Sequence, residues 1–103
     1  MNRIEKLNEF LKDNPGDSFL QHALALEYVK IEEYDKARLI FEQLLHRDPA
    51  YVGSYYHLAK LLEKMGDSKT AIAWYEKGME AARKAGDQHA LGELRSAYEE
   101  LMF

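Results

Sequence analysis

Apolar residues recur along the chain at intervals of three and four, separated by short polar breaks. Nowhere do they alternate as in a half-buried strand. Ile4, Leu7, Phe10 and Leu11 predict a helix over residues 2–12, and Asn14-Pro15-Gly16 stops it. Ser18-x-x-Gln21 has the form of a capping box, predicting a second helix from about residue 18 to 30. Leu24, Ala25 and Tyr28 form one of its stripes, and Phe19, Leu26 and Val29 form another. One stripe suffices to seat an amphipathic helix, so this one is expected to be sandwiched or to present a binding face. A third helix is predicted over 34–46, where Ala37 permits close approach and Phe41 and Leu44 fill the space beside it. Asp48-Pro49 reads as a helix start, with Asp as cap and Pro in the first turn. It predicts a fourth helix over about 50–65, with Tyr55, Leu58, Ala59 and Leu62 inward. Gly66 is a stop and Asp67 a cap for a fifth helix over 68–85, carrying Ala71, Trp74, Tyr75 and Met79. Gly78 in its middle lowers helix propensity and is expected to mark close backbone packing. Gly86-Asp87 repeats the stop and cap. The last helix, over 88–101, places Ala90, Leu91, Leu94, Tyr98 and Leu101 on one side and Glu93, Ser96, Glu99 and Glu100 largely on the other.

A period runs through this order. Adding 34 to Leu24, Ala25, Tyr28, Ala37 and Phe41 gives Leu58, Ala59, Leu62, Ala71 and Tyr75, so small and large apolar sites repeat in kind. Subtracting 34 from Pro49 gives Pro15, which makes residues 2–15 the second half of a unit. A fixed period of this length signals stacked supersecondary units.

These residues resemble the tetratricopeptide repeat (TPR) family. The resemblance rests on Leu24, Ala25, Tyr28, Ala37, Phe41 and Pro49 in the first unit. In the second it rests on Tyr55, Leu58, Ala59, Gly66, Ala71 and Tyr75, and with the half-unit it covers roughly residues 3–83. Three positions depart from the family pattern: Gln21 stands for a large apolar residue, Glu32 for the glycine seen at Gly66, and Arg83 for the closing proline. The expected fold is therefore all-α, a TPR-like α-solenoid and a single domain over residues 1–103. Its parts are a lone N-terminal cap helix (2–15), two helix-turn-helix repeats (18–49 and 52–83) and a C-terminal capping helix (87–103).

Composition narrows the function. A chain of 103 residues supports one domain and buries about two-thirds of its unfolded surface. Without cysteine there is no disulfide framework and no thiolate metal site, as suits a reducing cytoplasm. The first residues lack a basic-then-apolar signal pattern, and no apolar run approaches the ~18 residues of a membrane span. A net charge of −4, with both signs interspersed, argues against nucleic acid. His22, His46, His57 and His89 lack metal-pair spacing, the glycines form no phosphate loop, and no nucleophile motif occurs. No enzyme, cofactor or metal is expected.

What remains is binding. In stacked helix pairs the first helix of each pair lines a concave face, and the resemblance implies that peptides or partner helices bind there. The matching lining is Phe19, His22, Leu26 and Val29 from the first unit and Tyr56, Lys60 and Lys64 from the second, with Leu94 and Tyr98 closing the far end. Some TPR domains clamp a peptide carboxylate with lysine, asparagine and arginine. Here His22 and Leu26 occupy such sites, so the resemblance does not extend to that clamp. The expected partner is a protein or peptide with apolar anchors, and Lys60 and Lys64 favour an acidic flank on it. The alternative is self-association, as a homodimer or scaffold, through the groove or the apolar tail Leu101-Met102-Phe103.

Overall fold

Each helix begins and ends where a side chain or a turn takes over the backbone groups that the helix cannot pair. The computed structural model describes residues 2–103, and Met1 lies outside them. Six helices follow in order: α1 (Arg3–Asp13), α2 (Ser18–Lys30), α3 (Tyr34–Arg47), α4 (Gly53–Lys64), α5 (Ser68–Ala85) and α6 (Gln88–Met102). Among the described residues there is no strand. The chain divides into two compact units, one ending at Asp48 and the other beginning at Pro49.

In the first unit α2 packs against both α1 and α3. Leu7 of α1 meets Ala23 and Leu24 of α2, and Ile4, Leu11, Leu20, Tyr28 and Ile40 close around them. This contact gives α1 its covering role. Phe10 shares the spacing of the apolar stripe but is 57 % exposed. Ala25, Ala37, Phe41 and Leu44 are fully buried.

The start of α2 differs from the capping-box expectation. Asp17, one residue earlier, is the cap, its carboxylate accepting from the Leu20 N–H at 3.0 Å. Ser18 is freed by this, and its hydroxyl donates to Asp48 at 2.6 Å, tying the start of α2 to the end of α3. The Gln21 amide donates to the Pro15 carbonyl at 2.9 Å, and its oxygen accepts from Arg47. In the second unit the Tyr55 hydroxyl donates to the Pro49 carbonyl at 2.6 Å. Gln21 and Tyr55 are 34 apart, as are Pro15 and Pro49, so one periodic hydrogen bond is made by two chemistries. The departure at Gln21 is thereby satisfied.

The turns repeat as well. After α2, Glu33 N–H donates to the Tyr28 carbonyl at 2.9 Å and Glu32 N–H to Val29 at 3.0 Å. After α4, Asp67 N–H donates to Leu62 at 2.9 Å and Gly66 N–H to Glu63 at 3.0 Å. This is the Schellman arrangement, and it needs a left-handed residue at the turn. Gly66 supplies it at φ 82°, whereas Glu32 is held there at φ 60° and is the one such non-glycine among the described residues. Connections this short make the joined helices antiparallel neighbours.

In the second unit α5 packs against α4 on one side and α6 on the other. The predicted start of α4 at Asp48-Pro49 is not observed. Asp48 is engaged by Ser18, residues 49–50 form a turn, and α4 begins at Gly53 with no side-chain cap. Tyr51 stands where Asp17 caps α2, so the equivalent acceptor is missing. Asp67 and Asp87 do cap α5 and α6, accepting from Thr70 and Ala90. The core is Tyr55, Leu58, Ala59, Leu61, Leu62, Ala71, Tyr75, Met79, Ala82, Leu91, Leu94 and Ala97. At its centre a Cβ placed on Gly78 would lie 2.6 Å from the Tyr55 Cβ and 3.1 Å from the Leu94 Cδ2. The expected close packing at Gly78 is real, and it involves two helices rather than one.

Two stability experiments follow from these contacts. Gly78→Ala has nowhere to place its methyl, and forced overpacking costs about 1–3 kcal/mol, more than the helix propensity gained. A urea midpoint equal to or above wild type would contradict the packing. Left-handed backbone costs a side-chain-bearing residue about 1–2 kcal/mol, and glycine's freedom in the unfolded chain takes back part of the gain. Glu32→Gly should therefore raise the midpoint slightly and Gly66→Ala should lower it, and the opposite order would show that the turn carries no strain.

Candidate functional site

The outer face of α2 is built by spacing. Phe19, His22, Leu26 and Val29 fall within one side of the helix. Phe19 is 67 % exposed, while His22, Leu26 and Val29 are half-buried. The His22 ring packs edge-on against Phe41 with centroids 5.8 Å apart, so one part of it belongs to the core.

In the second unit the face of α4 carries Tyr56, Lys60 and Glu63, related to His22, Leu26 and Val29 by the period of 34. Tyr56 and Lys60 form one wall of a groove of about 540 Å³. The other wall is α6, through Gln88, His89, Gly92, Glu93, Ser96, Ala97 and Glu100. Lys60 Nζ lies 5.7 Å from the centre of the Tyr56 ring and 3.7 Å from a Glu63 carboxylate oxygen. Glu63 in turn accepts from the Tyr75 hydroxyl. Burial, and then this hydrogen bond, push the Tyr75 phenol well above its usual range, so it remains a neutral donor. Across the groove the His89 imidazole stands 3.6 Å from Glu93. An adjoining recess of about 270 Å³ is lined by Val52, Gly53, Tyr56, His57, Ala90, Glu93 and Leu94. Desolvation lowers the His57 imidazole pKa, against the opposing pull of Glu93.

Three of the expected lining residues sit differently. Leu94 is 1 % exposed and is a core residue facing Gly78, so it is the floor of the recess rather than an accessible lining. The Tyr98 hydroxyl donates to Glu76 of α5 at 3.4 Å, and the residue lies outside the groove lining. Lys64 is exposed and lies outside the groove lining. Glu93, Ser96 and Glu100 line the groove and were not expected there. Glu63 lies outside the groove lining but pairs with Lys60, and it was within reach because Val29 plus 34 is Glu63. The α6 residues were read as a solvated face, and only the packing of α6 turns that face towards Tyr56. Among the described residues no group of side chains could hold a metal ion, and no helix is long and apolar enough to cross a membrane.

The position of Leu94 is testable apart from any ligand. Leu94→Ala should cost about 2–5 kcal/mol, the range for a leucine truncated in a packed core. Tyr98→Phe should stay within about 0.5 kcal/mol. Equal midpoints for both in denaturant would return Leu94 to the surface.

The sequence matches the tetratricopeptide repeat family over residues 28–97, more than half of the chain. A tetratricopeptide repeat domain protein from Salinibacter ruber, solved in solution, is 42 % identical. It superposes with a TM-score of 0.81 over 84 % of this chain and 88 % of its own. A protein from Bordetella parapertussis is 28 % identical with a TM-score of 0.84, over 99 % of this chain and 89 % of its own. A curated relative, the pre-mRNA-splicing factor CLF1 of Eremothecium gossypii, is 33 % identical over 67 residues. That is 65 % of this chain, which spans only about a tenth of the relative's length. The all-α helical repeat fold is thus shared with solved repeat domains.

Proposed function

The chain belongs to the tetratricopeptide repeat family, and from that premise we propose that it is a non-catalytic module that binds a peptide or partner helix. Members of this family generally bind protein partners. The observation that carries the reading is the groove between α4 and α6, walled by a half-buried Tyr56. On this reading Tyr56 and Lys60 are partner contacts of the second unit, and Phe19, His22, Leu26 and Val29 form an apolar and aromatic binding face of the first. Lys64 and Tyr98 stand at the margin of the surface, and Leu94 supports it from the core.

The supporting physics is that of anchors. Aromatic and aliphatic side chains that are half-exposed in the free protein gain most when a partner completes their burial, and a few such residues dominate binding energy. Exposed Met102 and Phe103 favour a second reading, association between copies through the tail. Sedimentation across a hundredfold range of concentration, on the order used to resolve weak dimers, separates the two.

The test uses peptides selected from a displayed library against the wild-type chain. Tyr56→Ala and Leu26→Ser should each leave the melting transition close to wild type, because surface changes usually stay within about 0.5 kcal/mol. Each should weaken capture by the equivalent of about 2 kcal/mol or more. Selected peptides that bind Tyr56→Ala as well as wild type would place the site elsewhere.

A further inference from the structure

The groove has a sign. Glu93 and Glu100 line it from α6 and Lys60 from α4, so two carboxylates face one ammonium. That ammonium is already engaged, 3.7 Å from Glu63 and over the Tyr56 ring. The ion pair of Glu93 is with His89, a counter-charge only when protonated, and both side chains are more than half exposed. Glu100 has no ion pair among the described residues. An acidic segment laid here would have to displace Glu63 from Lys60 while lying against Glu93 and Glu100. A basic one meets carboxylates on the α6 wall and an aromatic face on the α4 wall, where an aliphatic stem can lie while its charged head pairs.

We propose that the partner of this groove is a basic peptide segment, with Lys or Arg side chains pairing Glu93 and Glu100 and an aliphatic stem over Tyr56. This rests on the groove being the binding surface, and it reverses the acidic flank that Lys60 and Lys64 imply in isolation. Geometry adds a spacing. Glu93 and Glu100 are seven residues apart on one helix, about 10 Å at a rise of 1.5 Å per residue. In an extended polyproline-II segment, residues three apart lie on the same side and about 9 Å apart. The fitting segment therefore carries two basic residues three positions apart.

The experiment uses two labelled twelve-residue peptides, identical but for Arg-x-x-Arg in one and Glu-x-x-Glu in the other. Each is titrated into the full chain by fluorescence anisotropy and by amide chemical shifts. The Arg peptide should bind at least about tenfold tighter, lose affinity with added salt, and shift the amides of Tyr56, Gly92 and Ser96. The charge-reversed double variant Glu93→Lys/Glu100→Lys changes two exposed side chains and should keep its melting transition, but should prefer the Glu peptide. A Glu peptide that binds wild type as tightly as the Arg peptide, an Arg preference unchanged in the double variant, or no binding by either below about 1 mM overturns the basic-segment inference. If the Glu peptide wins while shifting the same three amides, the groove stands as the site and only its sign is wrong. If the Arg peptide wins but shifts amides away from the groove, the groove itself is refuted.

Discussion

One missing side chain holds the second unit together. Gly78 lets the Tyr55 Cβ of α4 and the Leu94 side chain of α6 reach the same point on α5, where a methyl would collide with the first and crowd the second. Burial of Tyr55 and Leu94 follows from that contact, and so does the distance between the helices that carry them. The groove walls are the outer sides of α4 and α6, so their separation is set from beneath by α5. At the equivalent site the first unit has Leu44, fully buried, where no sixth helix has to be received. Within each unit, the same repeat position is filled by a leucine on α3 and emptied on α5, where α4 and α6 converge.

The repeat is conserved at the level of hydrogen-bond geometry more strictly than at the level of residue type. The carbonyl of the proline that precedes each helix pair is met by an amide from Gln21 in one unit and a phenol from Tyr55 in the other. The backbone turn after the first helix is likewise the same pair of bonds, whether a glycine or Glu32 takes the left-handed conformation. These groups lie at or near the surface, where water can stand in for a missing partner, so which residue type makes the bond matters less than that the turn geometry recurs.

The helices, their stops and the close approach at Gly78 were legible because each has a local cause or an internal copy 34 residues away. The misreadings came from competition that local sequence does not resolve. Asp17 and Ser18 are both good caps, and the choice between them depends on Asp48, which is 30 residues distant and available to the serine. Once Asp48 is engaged there, it no longer starts the next helix, and Tyr51 offers α4 no substitute. The groove was half legible. Its α4 wall, Tyr56 and Lys60, follows from the period. The α6 side does not, because a polar stripe on a terminal helix reads as solvated until packing turns it towards a neighbouring wall.

The charge of the groove is itself a product of the core. Phe41 in the first unit becomes Tyr75 in the second, which adds a hydroxyl to an otherwise equivalent buried ring. A buried hydroxyl needs a partner, and Val29 in the first unit is correspondingly Glu63 in the second, which accepts from it. Glu63 then draws Lys60 towards itself and across Tyr56. The exposed faces of two equivalent helices thus acquire different characters from a pair of linked changes. Phe41 with Val29 leaves an apolar face on α2, and Tyr75 with Glu63 produces a charged one on α4. With Lys60 held inside its own wall, the carboxylates of α6 are left to set the potential within the groove.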